Sequence, residues 1–285
     1  MKGEEKGIIN GYGEINFSSW QDAFAFLHES MLDYRAYIWR GQRCDNWKLE
    51  SRLGRLAKEA KTVGTIGPDV GDHLKQFQFA ARGRRGPNPP FLKTDNDWWA
   101  LGQHHGLATP LLDWTESPYV AVYFAFIGTG EEQTDFRAVY ALHKPSVEIK
   151  ADELLAEKQK KWLQDKEDID SGKKKVANML ALPYGIMPKG REVEFVRPLS
   201  DENQRLVNQA GLFTRFPFNS DVQSWVEKNF VGNSEYMVMK MLIPDKDRKP
   251  CLKALNRMNI NHLTLFPDLY GASKFCNMYH EIKGY

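Results

Sequence analysis

The stretch Gln103–Phe126, QHHGLATPLLDWTESPYVAVYFAF, limits what this chain can fold into more than any other. An apolar run, Leu107–Leu112, leads into Asp113-Trp114-Thr115, and Ser117-Pro118 then starts a helix. A serine hydroxyl caps a helix N-terminus, and proline fits the first turn because it has no N–H to satisfy. From there Val120, Tyr123, Phe124 and Ile127 recur at three- and four-residue spacing, which marks a buried helical face. Ala121 and Ala125 lie four apart and leave room for a close backbone neighbour, and Gly128 ends the helix. A short strand, a polar turn and a buried helix therefore follow one another. The turn sets Asp113 and Thr115 at a helix N-terminus, where they act as caps or where the backbone N–H groups attract an anion.

The rest of the chain mixes the two periodicities without regular alternation. Ser18-Ser19 cap a first helix whose buried face is Trp20, Phe24, Leu27 and Met31. Tyr37–Trp39 reads as a strand that places Tyr37 and Trp39 on one side and Ile38 and Arg40 on the other. Arg40 then closes an aromatic strand beside Gly41, as a surface ion-pair partner or as a guanidinium gripping phosphate or ribose. Residues 45–66, with Trp47-Lys48-Leu49 and Arg52–Arg55, read as a loop and a helix; further helices start from Asp69 and from Asp95–Asp97, with a basic Gly/Pro-rich loop over 82–90 between them. Arg137–His143 reads as a strand continued by Val147–Lys150, and Glu192–Val196, Gly211–Phe216, Tyr236–Ile243 and His262–Phe266 as further strands. Ser200/Asp201 cap a helix carrying Arg205 and Gln209 on one face, and helices are expected at 221–229, 249–258 and 272–282. No G-x-G-x-x-G opens a helix, so a doubly wound parallel sheet is disfavoured. The expectation is an α+β fold, a split and largely antiparallel sheet wrapped by helices, in one domain over 1–285 with a charged helical insertion at 150–188.

Composition narrows the function classes. With 285 residues, 42% hydrophobic and 12% aromatic, the chain can build a sizeable core, and a net charge of +2 implies no strong overall field for a polyanion. The 3 cysteines are scattered with no C-x-x-C, so neither a disulfide framework nor a zinc site is expected. The adjacent His104 and His105 diverge on either a helix or a strand and make a poor metal pair. His104 is read as a hydrogen-bond donor at the site or as a satisfied core histidine. No apolar signal core or membrane-length run is present, so a cytoplasmic protein without membrane contact is expected.

Four ordered motifs resemble the FRG domain family, named for a Phe/Tyr-Arg-Gly signature. They are Trp39-Arg40-Gly41-Gln42, the 103–126 stretch, Arg205 with Gln209-Ala210-Gly211-Leu212-Phe213, and Phe266-Pro267-Asp268-Leu269 with Gly271. One departure is Pro110, where that family carries an arginine. A second resemblance is to ADP-ribosyltransferases, which run Arg, Ser/Thr and Glu along three strands of a split sheet. Here Arg40 and Thr115 take the first two places, and Glu194 or Gln209 the third. That resemblance implies NAD as substrate, bound by Arg40, Gly41, Gln42, His104, Asp113, Thr115, Tyr123 and Arg205. Arg40, Thr115, Glu194 and Gln209 are its catalytic candidates, with Tyr119 or Tyr123 stacking on nicotinamide. It also implies transfer to an RNA, DNA or protein acceptor, in a toxin or anti-phage effector that an antitoxin partner would inhibit. The same residues, without a carboxylate, would serve a non-enzymatic nucleotide or nucleic-acid binding module.

Overall fold

A computed structural model describes residues 3–62, 69–130, 132, 134–171, 187–198, 204–218 and 220–285. Eight strands form one sheet in the order β1-β2-β8-β5-β3-β4-β7-β6, and every neighbouring pair is antiparallel except β2 with β8. The strands are β1 (Gly3–Ile9), β2 (Tyr12–Phe17), β3 (Tyr37–Gln42), β4 (Leu111–Thr115), β5 (Phe136–His143), β6 (Glu194–Val196), β7 (Gly211–Arg215) and β8 (Val238–Pro244). The mostly antiparallel sheet matches the sequence expectation. The sheet is also nearly divided. β3 pairs with β5 over six residues, but with β4 through Trp39 and Thr115 alone.

Helix α1 (Trp20–Ser30), α5 (Pro118–Ile127), α9 (Arg248–Arg257), α10 (His262–Leu265) and α11 (Leu269–Glu281) enclose one core. The opposite core takes residues of α6 (Lys144–Asp170) and α8 (Val222–Asn229). A third cluster joins α2 (Arg52–Thr62), α3 (Val70–Ala80) and α4 (Asp95–His104) to β4 and β7. Strand β3 shows the expected alternation, with Tyr37 and Trp39 packing against the first core and Ile38 in the second.

Helix α5 is buried almost all round, as suits a central helix rather than an amphipathic one. Ser117 caps it and Pro118 occupies its first turn. It crosses β3 so closely that a Cβ on Gly41 would lie 1.9 Å from Ala121 O and 2.5 Å from Ala125 N. The small pair Ala121/Ala125 and Gly41 are thus two sides of one contact. The helix stops at Ile127, but Gly128 is extended rather than left-handed. The terminal carbonyls are instead held by the guanidinium groups of buried Arg137 and half-buried Arg248. Arg137 Nη1 donates to Ala125 O and Gly128 O, and Arg248 Nε donates to Phe126 O. These cations complement the C-terminal end of the helix dipole.

Three local assignments differ from the sequence expectation. Residues 147–150 begin α6 rather than continue β5. Pro145 sits in the first turn, and Val147, Ala151 and Leu154 face the core at helical spacing. The helix runs unbroken through position 150. Residues 262–265 form α10 and not a strand, because Asn261 and Thr264 make a reciprocal capping box. The sequence reading assigns no strand before Tyr37, yet a hairpin stands there, turned by Asn10 and Gly11 at φ 50° and 82°. Asn-Gly is a strong hairpin signal. The expected cap at Ser200/Asp201 and residues 172–186 of the insertion lie outside the described residues.

Gly41→Ala should destabilise the protein by ~3 kcal/mol, because neither backbone atom facing the new methyl can retreat without parting α5 from the sheet. A variant that melts like the parent would refute the close crossing.

Candidate functional site

The weak seam between β3 and β4 opens into a cleft of ≈ 300 Å³. Its lining includes Arg40 and Gly41 from β3, Asp113 and Thr115 from β4, Phe124 from α5, Gln209 ahead of β7, and Phe266 after α10. Residues from all four sequence motifs therefore meet at one place.

Each side chain is held by identifiable contacts. Arg40 Nη1 donates to Asp113 O at 2.6 Å and lies 3.6 Å from Asp113 Oδ2. The Arg40 side chain keeps 20% of its surface accessible, while its Nε is buried without a hydrogen-bond partner. Burial lowers the Arg40 pKa from its ordinary value, Asp113 opposes that shift, and nearby Arg55 adds to it. Among the described residues Asp113 is the one carboxylate of the lining, and its side chain is 62% exposed. Gln103 Nε2 donates to Asp113 Oδ1 at 2.7 Å, and Thr109 donates to the Gln103 carbonyl. Gln103 was legible in the central stretch, but its role as the brace of Asp113 becomes visible only in three dimensions.

Thr115 is buried, and its hydroxyl donates to Gln209 O while accepting from Ser117 N. It ties the β4 turn to the segment that delivers Gln209. That segment is α7 (Gln204–Asn208), followed by Ala210 at φ 45°, a left-handed turn into β7. Gln209 follows the last residue of the helix, and its N–H still donates to Arg205 O at 3.0 Å, so the two stay one helical turn apart as expected. Gln209 Nε2 donates to Leu265 O at 3.1 Å, and Asn208 Nδ2 to Thr264 O. Arg205 pairs with Asp268 and lies over the rings of Phe266 and Tyr270. Asp268 also caps α11 by accepting from Gly271 N, and that N–H, then Arg205, lowers its pKa. The third and fourth motifs are thus wired to each other, and Phe266 is fixed in the cleft wall against Phe124 at 6.1 Å.

Other sequence candidates stand elsewhere. Glu194 is on β6, beyond β7, where it accepts from Arg215 and Asn96. Its neighbour Glu192 pairs with Lys158 and accepts from Trp225 Nε1. Tyr123 is fully buried in the α5 core with its hydroxyl 2.8 Å from His262 Nδ1, so it stacks on no ligand. Phe124, one position on, is the ring that faces the cleft. Tyr119 packs on Phe24. His104 lies at the end of α4, edge-to-face with His105, and is not among the lining residues. Gln42 is buried, donates to Lys48 O and lines a neighbouring cavity. Gly41 serves helix packing while its backbone borders the cleft. Pro110 lines a small separate cavity with Leu112 and Phe216.

Among the described residues no group of three or more His, Cys, Asp or Glu is placed to hold a metal, and no helix is long and apolar enough to cross a membrane.

The Tyr123–His262 contact carries a pH signature. Burial, then Lys274, lowers the His262 pKa from 6.5 to about 4. The unfolded chain binds this proton more readily, so the native state is favoured fully above pH 6.5 and progressively less as pH falls towards 4. The melting temperature should drop across that window, and His262→Gln should flatten that part of the profile. A parent profile with no slope between pH 6.5 and 4 would contradict the assignment.

The model of the FRG domain matches residues 35–134, which contain the Trp39–Gln42 signature and the central stretch but not the two later motifs. No curated protein and no solved structure matches the chain. Residues 35–134 are thus similar to the FRG domain, and Arg40, within the matched stretch, stands at the cleft.

Proposed function

We propose that the cleft binds NAD and that the chain transfers ADP-ribose from it to an acceptor. The observation that carries this reading is the convergence of Arg40, Thr115 and Gln209 on one cleft from β3, β4 and the start of β7, neighbours in the sheet. ADP-ribosyltransferases bring Arg, Ser/Thr and Glu together from three strands of a split sheet. Gln209 stands in the third place, and Glu194 is too far along the sheet to take it.

In this reading Arg40 grips phosphate or the nicotinamide ribose through the part of its guanidinium that stays accessible. Phe124 and Phe266 supply ring faces for nicotinamide. As the nicotinamide–ribose C–N bond breaks, its electron pair leaves with nicotinamide and positive charge grows on the ribose. The Asp113 carboxylate, fixed by Gln103 and Arg40, faces that charge. The acceptor oxygen or nitrogen then bonds to the ribose carbon and gives its proton to Asp113. Gln209 is a neutral amide, so it positions ribose hydroxyls and neither supplies charge nor takes a proton. A toxin or anti-phage effector role with an inhibitory antitoxin partner belongs to this proposal through the family resemblance alone. The glutamine in place of a glutamate also favours a second reading, a module that binds the nucleotide without turning it over.

Titration calorimetry with NAD, together with chromatography of released nicotinamide, separates these readings. Arg40→Ala should weaken NAD binding roughly ten-fold or more, the loss of hydrogen bonds to a charged group. Gln209→Ala should reduce affinity and rate together, and Glu194→Gln should leave affinity unchanged. Binding without nicotinamide release would select the non-enzymatic module. Absence of NAD binding by the parent protein would overturn the proposal.

A further inference from the structure

A second cavity of ≈ 680 Å³ adjoins the cleft and shares Arg40, Gly41 and Phe124 with it. We propose that this cavity is the acceptor groove and that the acceptor is a single-stranded nucleic acid. The inference rests on the transferase reading for the word acceptor, but the binding it asserts does not need NAD.

Charge is the first argument. Among the described residues the groove lining holds Arg40, Arg43, Lys48 and Arg55 against one carboxylate, Glu50. Glu50 is already paired with Lys58 at 2.5 Å, Arg43 lies 3.6 Å from Glu132, and Arg40 is shared with Asp113. Lys48 and Arg55 make no ion pair among the described residues, and both are exposed. Arg55 Nη1 donates to Glu50 O at 2.8 Å, which fixes its guanidinium in the groove beside Arg40. Three arginines and a lysine round one concavity favour the entry of an anion, and a phosphate chain supplies repeated negative charge at such a surface.

The second argument is the aromatic platform. Trp47 remains 41% exposed on the groove lining. Its ring is held by the Arg43 guanidinium 5.1 Å from its centroid, and its Nε1 donates to Glu132 at 3.0 Å. A fixed, accessible indole beside cations is what an unstacked base and its phosphates recognise. A duplex hides its ring faces, and an acidic peptide has none, so both satisfy the cations but leave Trp47 unused. The basic loop near 82–86 is a weaker rival. Arg82 and Arg85 lie over Phe79 and Trp98, Arg84 and Arg85 donate to the backbone at Ala80 and Pro90, and their cavity is separate. Continuity with the cleft at Arg40 is what would bring a nucleotide in the groove up to the reacting ribose.

The test is fluorescence anisotropy with end-labelled, mixed-sequence twelve-nucleotide RNA and DNA, single-stranded and duplex, in the absence of NAD. Single strands should bind and weaken as salt rises. Trp47→Ala should weaken binding roughly ten-fold, and Lys48→Ala and Arg55→Ala should each weaken it and lower the salt slope by about 1. Lys160→Ala, on the exposed part of α6, should bind like the parent. These side chains are exposed, and unchanged melting confirms that each variant is folded. No binding at low salt, equal or tighter binding of duplex, or indifference to Trp47 and Lys48 would overturn the proposal. Competition by poly-glutamate of the same length as effectively as by oligonucleotide would overturn it in favour of an acidic peptide. The calorimetric NAD titration is independent, so loss of one reading is distinguishable from loss of the other.

Discussion

Two half-sheets meet at a single residue pair, Trp39 with Thr115, and the site exists because that seam is weak. A full β3–β4 ladder would close the space in which Arg40 and Asp113 face each other. Something else must therefore hold the halves together. Helix α5 does so by direct crossing over Gly41, and the Arg40 guanidinium does so by bonding the Asp113 carbonyl across the gap. The same arginine is thus both a rivet of the sheet and the main charge of the cleft. An exposed ion pair contributes only about 0–1 kcal/mol. The rivet is therefore the charge-assisted bond to the Asp113 carbonyl more than the ion pair.

The two later motifs form a second clamp. Thr115 binds the Gln209 carbonyl, Gln209 and Asn208 bind the backbone of α10, and Arg205 reaches Asp268 at the cap of α11. Each bond is local, but their sum fixes Phe266 and Gln209 relative to β4. The family match ends at residue 134, so the convergence of residues beyond it on Arg40 and Asp113 is a structural finding. It makes the cleft the product of the whole chain. Among the described residues the cleft has one cation and one carboxylate, each with fixed partners, and four aromatic residues, Trp39, Trp114, Phe124 and Phe266.

Much of this was legible in the sequence because it depends on nearest neighbours along the chain. The Ser117-Pro118 helix start, the alternation of Tyr37, Ile38 and Trp39, and the small pair Ala121/Ala125 all follow from local geometry. The partner of that small pair, Gly41, lies far away, so sequence reading assigned Gly41 to a ligand instead of to α5. The choice between Glu194 and Gln209 depended on strand order. Both sit near short strands, and only the placement of β7 between β4 and β6 puts Gln209 at the seam and Glu194 at the sheet edge. Tyr123 and Phe124 both fitted the helical spacing, and a one-residue difference, 100° of rotation, sends one to the core and the other to the cleft. The segments 147–150 and 262–265 were apolar and short, where spacing alone does not separate strand from helix. Their capping residues, Pro145 and Asn261 with Thr264, carried the missing signal.

The central claim is that four separated segments form one nucleotide site across the seam. Amide hydrogen exchange with and without saturating NAD tests it most directly, because it reads every segment at once. The expected result is joint protection of 39–42, 113–117, 209–213 and the backbone near Phe266, with little change along β6 around Glu194. Protection confined to one of those segments, or centred on β6, would contradict the account.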